Sequence, residues 1–162
     1  MQTSKDFTIR LAQKEDAPIV LEFIKKIAAY EKMSDEVVAT KEVLEEFVFD
    51  RQDAWVFIGE ENGKPVGFAL FYENFSTFLG RTGLYLEDLF VDPEMRGKGY
   101  GKALFQAVAK EADRRGCRRM EWTCLNWNKP SIDFYHYMGA VPMSDWTTYR
   151  LAGGAIKQAV QK

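Results

Sequence analysis

A chain of 162 residues is about one domain long and can bury a core of its own. With 46% hydrophobic and 28% charged residues, 12 Gly and 5 Pro, it falls outside the collagen-like, low-complexity and disordered classes. The net charge of −2 hides a division: residues 1–95 carry 10 basic and 19 acidic side chains, residues 96–162 carry 12 and 5, which argues against a broad phosphate-tracking nucleic-acid surface.

Met1 to Phe7 lacks a signal-peptide hydrophobic segment and no apolar run approaches the roughly 18 residues of a membrane span, so a cytoplasmic protein without a membrane partner is expected. Residues 7–11 alternate like a short strand. Ile19, Val20, Phe23, Ile24, Ile27 and Ala28 then recur at helical spacing behind Asp16 and Pro18. A shorter helix is expected after Thr40, with Val43, Leu44, Phe47 and Val48 on one face and Glu42, Glu45 and Glu46 outside. Residues 54–59 and 66–72 read as strands joined through Asn62-Gly63, a strong hairpin signal. Residues 84–91 form the next strand, ended by Asp92-Pro93. A glycine cluster and a long helix ending at Gly116 follow. Residues 117–125 read as a strand, Pro130 and Gly139 bracket a helix, and residues 146–151 are expected to close the sheet. The outcome is an α/β domain with a mixed sheet.

Cys117, Cys124 and the lone His136 cannot supply a Cys-x-x-Cys or His-x-x-x-His site, so no metal is expected. Any Ser-His-Asp or Cys-His machinery would have to run through His136. The strongest local signal is strand, Arg96-Gly97-Lys98-Gly99-Tyr100-Gly101, helix. Glycines let the backbone approach a ligand, successive N–H groups form an anion nest, and the helix start adds positive potential. The segment is not Gly-x-x-x-x-Gly-Lys-Ser/Thr, and Lys102 stands where Gly-x-Gly-x-x-Gly needs its last glycine.

Arg/Gln-x-x-Gly-x-Gly/Ala does fit, at Arg96, Gly99 and Gly101, and resembles the pyrophosphate-binding signature of the GNAT acetyltransferases. Ala29-Tyr30-Glu31-Lys32-Met33, Gly67-Phe68-Ala69-Leu70-Phe71-Tyr72, Tyr85-Leu86-Glu87-Asp88 and residues 127–135 resemble its diamine/polyamine (spermidine/spermine) acetyltransferase branch. The resemblance covers residues 7–150. It implies one GNAT domain over residues 1–162, with a mixed, mostly antiparallel sheet flanked by helices, often as a homodimer. It also implies acetyl transfer from acetyl-CoA to a small primary amine by direct attack in a ternary complex. The cofactor would meet Arg96, Gly97, Lys98, Gly99, Tyr100, Gly101 and Lys102, the backbone of Leu89, Phe90 and Val91, and Asn128 and Tyr135.

An alkyl ammonium titrates near pH 10.4, so the enzyme must remove a proton before or during attack. Glu87 and Asp88 are consecutive acids in an apolar strand. Alternation sends them to opposite faces unless a bulge intervenes. The resemblance makes Glu87 the base through water, lets Asp88 orient the amine or water, and makes Tyr135 the acid that protonates the departing thiolate. Tyr30 and Glu31 match the acceptor site, where carboxylates hold an ammonium and rings its methylenes. Animal polyamine enzymes carry acids in the C-terminal tail, but residues 155–162 have none, and some close relatives prefer thialysine-like amines. A protein amino group or an aminoglycoside as acceptor, and a non-catalytic acyl-CoA-binding module, are the alternatives.

Overall fold

The computed structural model describes residues 6–162. Met1 to Lys5, most of the stretch without a signal-peptide pattern, lie outside the described residues. The chain forms two compact units, the first running through Thr123 and the second comprising Cys124–Lys162.

The first unit is built on one five-stranded sheet in the order β1-β2-β3-β4-β5, with β1 Phe7–Leu11, β2 Trp55–Glu61, β3 Lys64–Ser76, β4 Arg81–Val91 and β5 Met120–Glu121. The first three pairings are antiparallel; β4 with β5 is parallel. The predicted hairpin forms, with Asn62 at φ 52° and Gly63 at φ 78°, the two left-handed residues that match a tight turn to strand twist. Helix α1, Ala17–Tyr30, has Pro18 in its first turn. It lays Val20 and Phe23 against Val56, Ile58, Phe68, Leu70 and Phe90, and the Phe23 and Phe68 rings stack at 5.2 Å. Thr40 caps α2, Lys41–Leu44, by accepting a hydrogen bond from the Val43 amide, and the chain continues as a π-helical turn over Glu45–Asp50.

Helix α3, Tyr100–Arg114, buries Leu104, Phe105, Val108 and Ala112. It approaches the sheet closely because Gly59 and Gly67 are register partners without side chains. A Cβ on Gly67 would stand 2.8 Å from the Phe90 carbonyl oxygen and 3.1 Å from Leu104 Cδ1. Lys26 on α1 pairs with buried Asp92 at 2.8 Å, fastening the helix to the end of β4.

Two expectations need correction. The strand expected over residues 117–125 shrinks to Met120–Glu121, because the Cys117 amide is spent on the Ala112 carbonyl at 2.9 Å, closing α3 after Gly116 at φ 72°. Residues 146–151 form no strand. Their Trp, Thr and Tyr favour extended backbone, but a strand exists only where its amide groups pair with an edge, and the sheet offers these residues no pairing. In the second unit, α4 spans Lys129–Tyr137 as expected. The chain then ends in a helix the sequence reading lacked, α5 Gly154–Val160. Among the described residues no helix is long and apolar enough to cross a membrane.

Candidate active site

The register of β3 against β4 decides where the acids go. Leu70 pairs with Asp88 and Phe71 with Leu86, so Glu87 is the extra residue of a β-bulge. Residues opposite one another in an antiparallel pair share a face. Asp88 therefore lies on the face of its partner Leu70, the side packed by α1, as does Phe90 opposite Phe68. Counting from Tyr85, opposite Tyr72, strand alternation puts Glu87 on that face as well. One inserted residue thus brings both acids to the same side.

The electrostatics agree. Burial, then the charges of Glu87 and Glu31, push the half-buried Asp88 carboxyl from 3.8 up to about 7. Burial and Glu87 also raise Glu31, which caps the C-terminus of α1. Tyr72 is raised by burial, then by Glu87 and Tyr85, and its ring stacks on Tyr85 at 5.1 Å. Three carboxylates and two phenols therefore feel one another beside the bulge. Glu87 itself is exposed. Such a crowded site favours a cation, which relieves the repulsion. Sequence reasoning singled out Glu31, Glu87 and Asp88 but gave no role to Tyr72 and Tyr85, which the structure sets beside them. The signal was their cross-strand pairing, which exists only once the register is known.

The glycine loop follows β4 through a 3-10 turn at Pro93–Met95. Gly97 at φ 81° and Gly99 at φ 85° take the left-handed conformation, and Gly99 stands at the N-cap of α3 with no side-chain cap. This is the arrangement in which backbone and helix start receive an anion, and it fits the pyrophosphate of acetyl-CoA. The loop's larger side chains are otherwise engaged. Tyr100 is buried against Phe7 at 3.9 Å with its hydroxyl donating to Glu61, so its route to a ligand is the backbone. Lys98 pairs with the same Glu61 at 3.0 Å, and Lys102 and Gly101 lie half-buried in the first turn of α3. Arg96 donates from Nε to the Val91 carbonyl at 3.1 Å, and its guanidinium lies 5.1 Å from the Tyr30 ring centre.

Leu89, Phe90 and Val91 pair with Ala69, Phe68 and Gly67 along β3. On the other edge β5 pairs only with Leu84 and Tyr85, so these three lie beyond its end. Tyr30 closes α1 and is half-buried. In the second unit, buried Asn128 caps α4 by accepting from the Ser131 amide at 3.4 Å, and half-buried Tyr135 packs its ring 5.5 Å from Phe134. His136, left out of the chemistry by the sequence reading, is exposed. No group of three His, Cys, Asp or Glu that could hold a metal occurs among the described residues.

Residues 21–140 match the model of the Acetyltransferase (GNAT) family, and the chain belongs to that family. It is 34% identical to a thialysine N-epsilon-acetyltransferase of Bos taurus, over 95% of this chain and 97% of that protein. To an L-ornithine acetyltransferase of Arabidopsis thaliana it is 31% identical, over 95% and 87%. Among solved structures, an integron cassette protein from the mobile metagenome of V. cholerae superposes with a TM-score of 0.80 at 26% identity, covering 98% of this chain and all of that one. Family members are acetyl-CoA-dependent acyltransferases, and the chain is an N-acetyltransferase of this class.

Proposed function

We propose that the chain, acting as one domain, transfers acetyl from acetyl-CoA to a primary amine of a small diamine, polyamine or thialysine-like molecule in a ternary complex. The observation that carries this reading is the β4 bulge, which turns Glu87 and Asp88 to one face beside Glu31. An acceptor with a second positive charge suits three carboxylates better than a monoamine does.

Acetyl-CoA supplies the thioester, and the protein's share is positioning and proton transfer. The loop from Arg96 to Lys102 and the start of α3 receive the pyrophosphate, chiefly through backbone. The edge of Leu89, Phe90 and Val91 aligns the pantetheine arm and polarises the thioester carbonyl. Asn128 adds a cofactor contact. Tyr30 and Glu31 hold the acceptor with Asp88. Glu87, at the exposed bulge position, takes the ammonium proton through water, and the Tyr135 phenol gives a proton to the departing sulfur. A phenol near pKa 10 and a thiol near 8.5 make that transfer a modest step.

The reading includes a cytoplasmic homodimer. Trp146 and Tyr149 of the second unit are 75% and 91% exposed, an apolar surface of the sort a second copy covers.

Two measurements test it. CoA release is to be followed with diamines, polyamines, thialysine, lysine and aminoglycosides; turnover confined to peptides or aminoglycosides would overturn the acceptor class. Gly99→Asp is expected to weaken acetyl-CoA binding about 10- to 100-fold while the protein stays folded. Asp is among the residues that tolerate a left-handed backbone, and its charge would oppose the pyrophosphate. Unchanged affinity in calorimetry would remove the loop from the cofactor site.

A further inference from the structure

We infer that Arg96 is a positioning residue for the acceptor: its side chain links the cofactor loop to the corner formed by Tyr30 and Glu31, so amine binding tightens when the loop is held by its ligand. This rests on the acceptor site proposed above.

The side chain works as a clamp with one fixed and one movable jaw. On the fixed side, Nε donates to the Val91 carbonyl at 3.1 Å, and the guanidinium lies 5.5 Å from the ring centre of Phe90. Phe90 is buried and meets Phe23 of α1 at 6.4 Å, so that ring cannot yield. On the movable side, the guanidinium lies 5.1 Å from the ring centre of Tyr30, the last residue of α1. Just beyond, the chain leaves the helix through Glu31 and Lys32, the latter at φ 61°. Helix ends are cheap to shift, so a contact worth little elsewhere can set the position of this corner. A planar guanidinium can donate in its plane and lie against rings on its faces, which an ammonium cannot reproduce.

The Arg96 backbone belongs to the loop. Its amide bonds the Pro93 carbonyl at 3.3 Å, and Gly97 follows in the left-handed region. A ligand that holds the loop backbone therefore holds the root of the clamp. Coupling of this kind is reciprocal, so the amine in turn tightens the cofactor.

The clamp predicts that loss of the Arg96 side chain is felt by the amine more than by the cofactor. Arg96→Gln keeps a donor for Val91 and removes the cation from Tyr30; Arg96→Met removes both. With thialysine as the amine, both are expected to raise KM about fivefold, the size of an exposed cation–π contact, a larger fold-change than either produces in CoA affinity. The tightening of thialysine by CoA, measured by calorimetry on the folded variants, should disappear. Combining Arg96→Gln with Tyr30→Leu should raise KM no further than the larger single effect. Single effects that multiply, or a loss confined to CoA affinity, would overturn the inference. If Tyr30→Leu alone leaves the thialysine KM unchanged, the acceptor site itself is misplaced and the inference falls with it.

Discussion

Tyr135→Phe is expected to lower kcat by about 100-fold while acetyl-CoA affinity changes little. The substitution deletes one hydroxyl and keeps the ring that packs against Phe134 on α4. A general acid typically contributes about that much when its proton transfer accompanies bond breaking. The measurement is single-turnover CoA release from pH 6 to 10. Wild-type rates throughout would leave sulfur protonation to water and remove Tyr135 from the chemistry.

Glu87→Gln is expected to lower kcat/KM for the amine most strongly near neutral pH and to recover part of it in alkali, where more acceptor arrives deprotonated. Gln keeps the volume and loses the proton acceptor. Asp88→Asn makes a separable prediction on stability. The folded pKa of Asp88 is raised from 3.8 to about 7, so its ionisation opposes folding. That cost is absent below the unfolded pKa, grows between about pH 4 and 7, and is complete above the folded value. Asp88→Asn should therefore stabilise the protein by about 2 kcal/mol at pH 8 and by nothing at pH 4, a discounted fraction of the 1.4 kcal/mol that accompanies each pKa unit. Chemical denaturation at the two pH values reads this directly. If the pH signature in kcat/KM follows Asp88→Asn and spares Glu87→Gln, the two acids exchange roles.

Much of the first unit was legible because its signals are local. The Asn62-Gly63 turn, the 3.6-residue rhythm of α1 and α3 and the glycine loop each depend on a few neighbouring residues. What escaped depends on where backbone groups find their partners, which composition alone does not encode. Residues 146–151 have the composition of a strand, yet composition does not supply the edge a strand must pair with. Cys117 resembles a strand start and is instead consumed in closing α3. The side-chain surroundings of the loop were not legible either: the Tyr100 ring lies in the core with its hydroxyl on Glu61, which leaves its backbone to face a ligand. At the site itself, the adjacent acids announced a conflict with alternation, while its resolution lay in the pairing of β3, which no window of β4 contains.

That bulge also divides the labour between neighbours. Asp88 has a register partner and sits beside the apolar cluster through Leu70, so a change of size there disturbs packing as well as chemistry. Glu87 has no opposite residue and faces solvent. Its side chain can be exchanged without a core neighbour noticing. Replacing Glu87 therefore alters the charge of the site with little cost to packing, whereas replacing Asp88 alters charge and packing together.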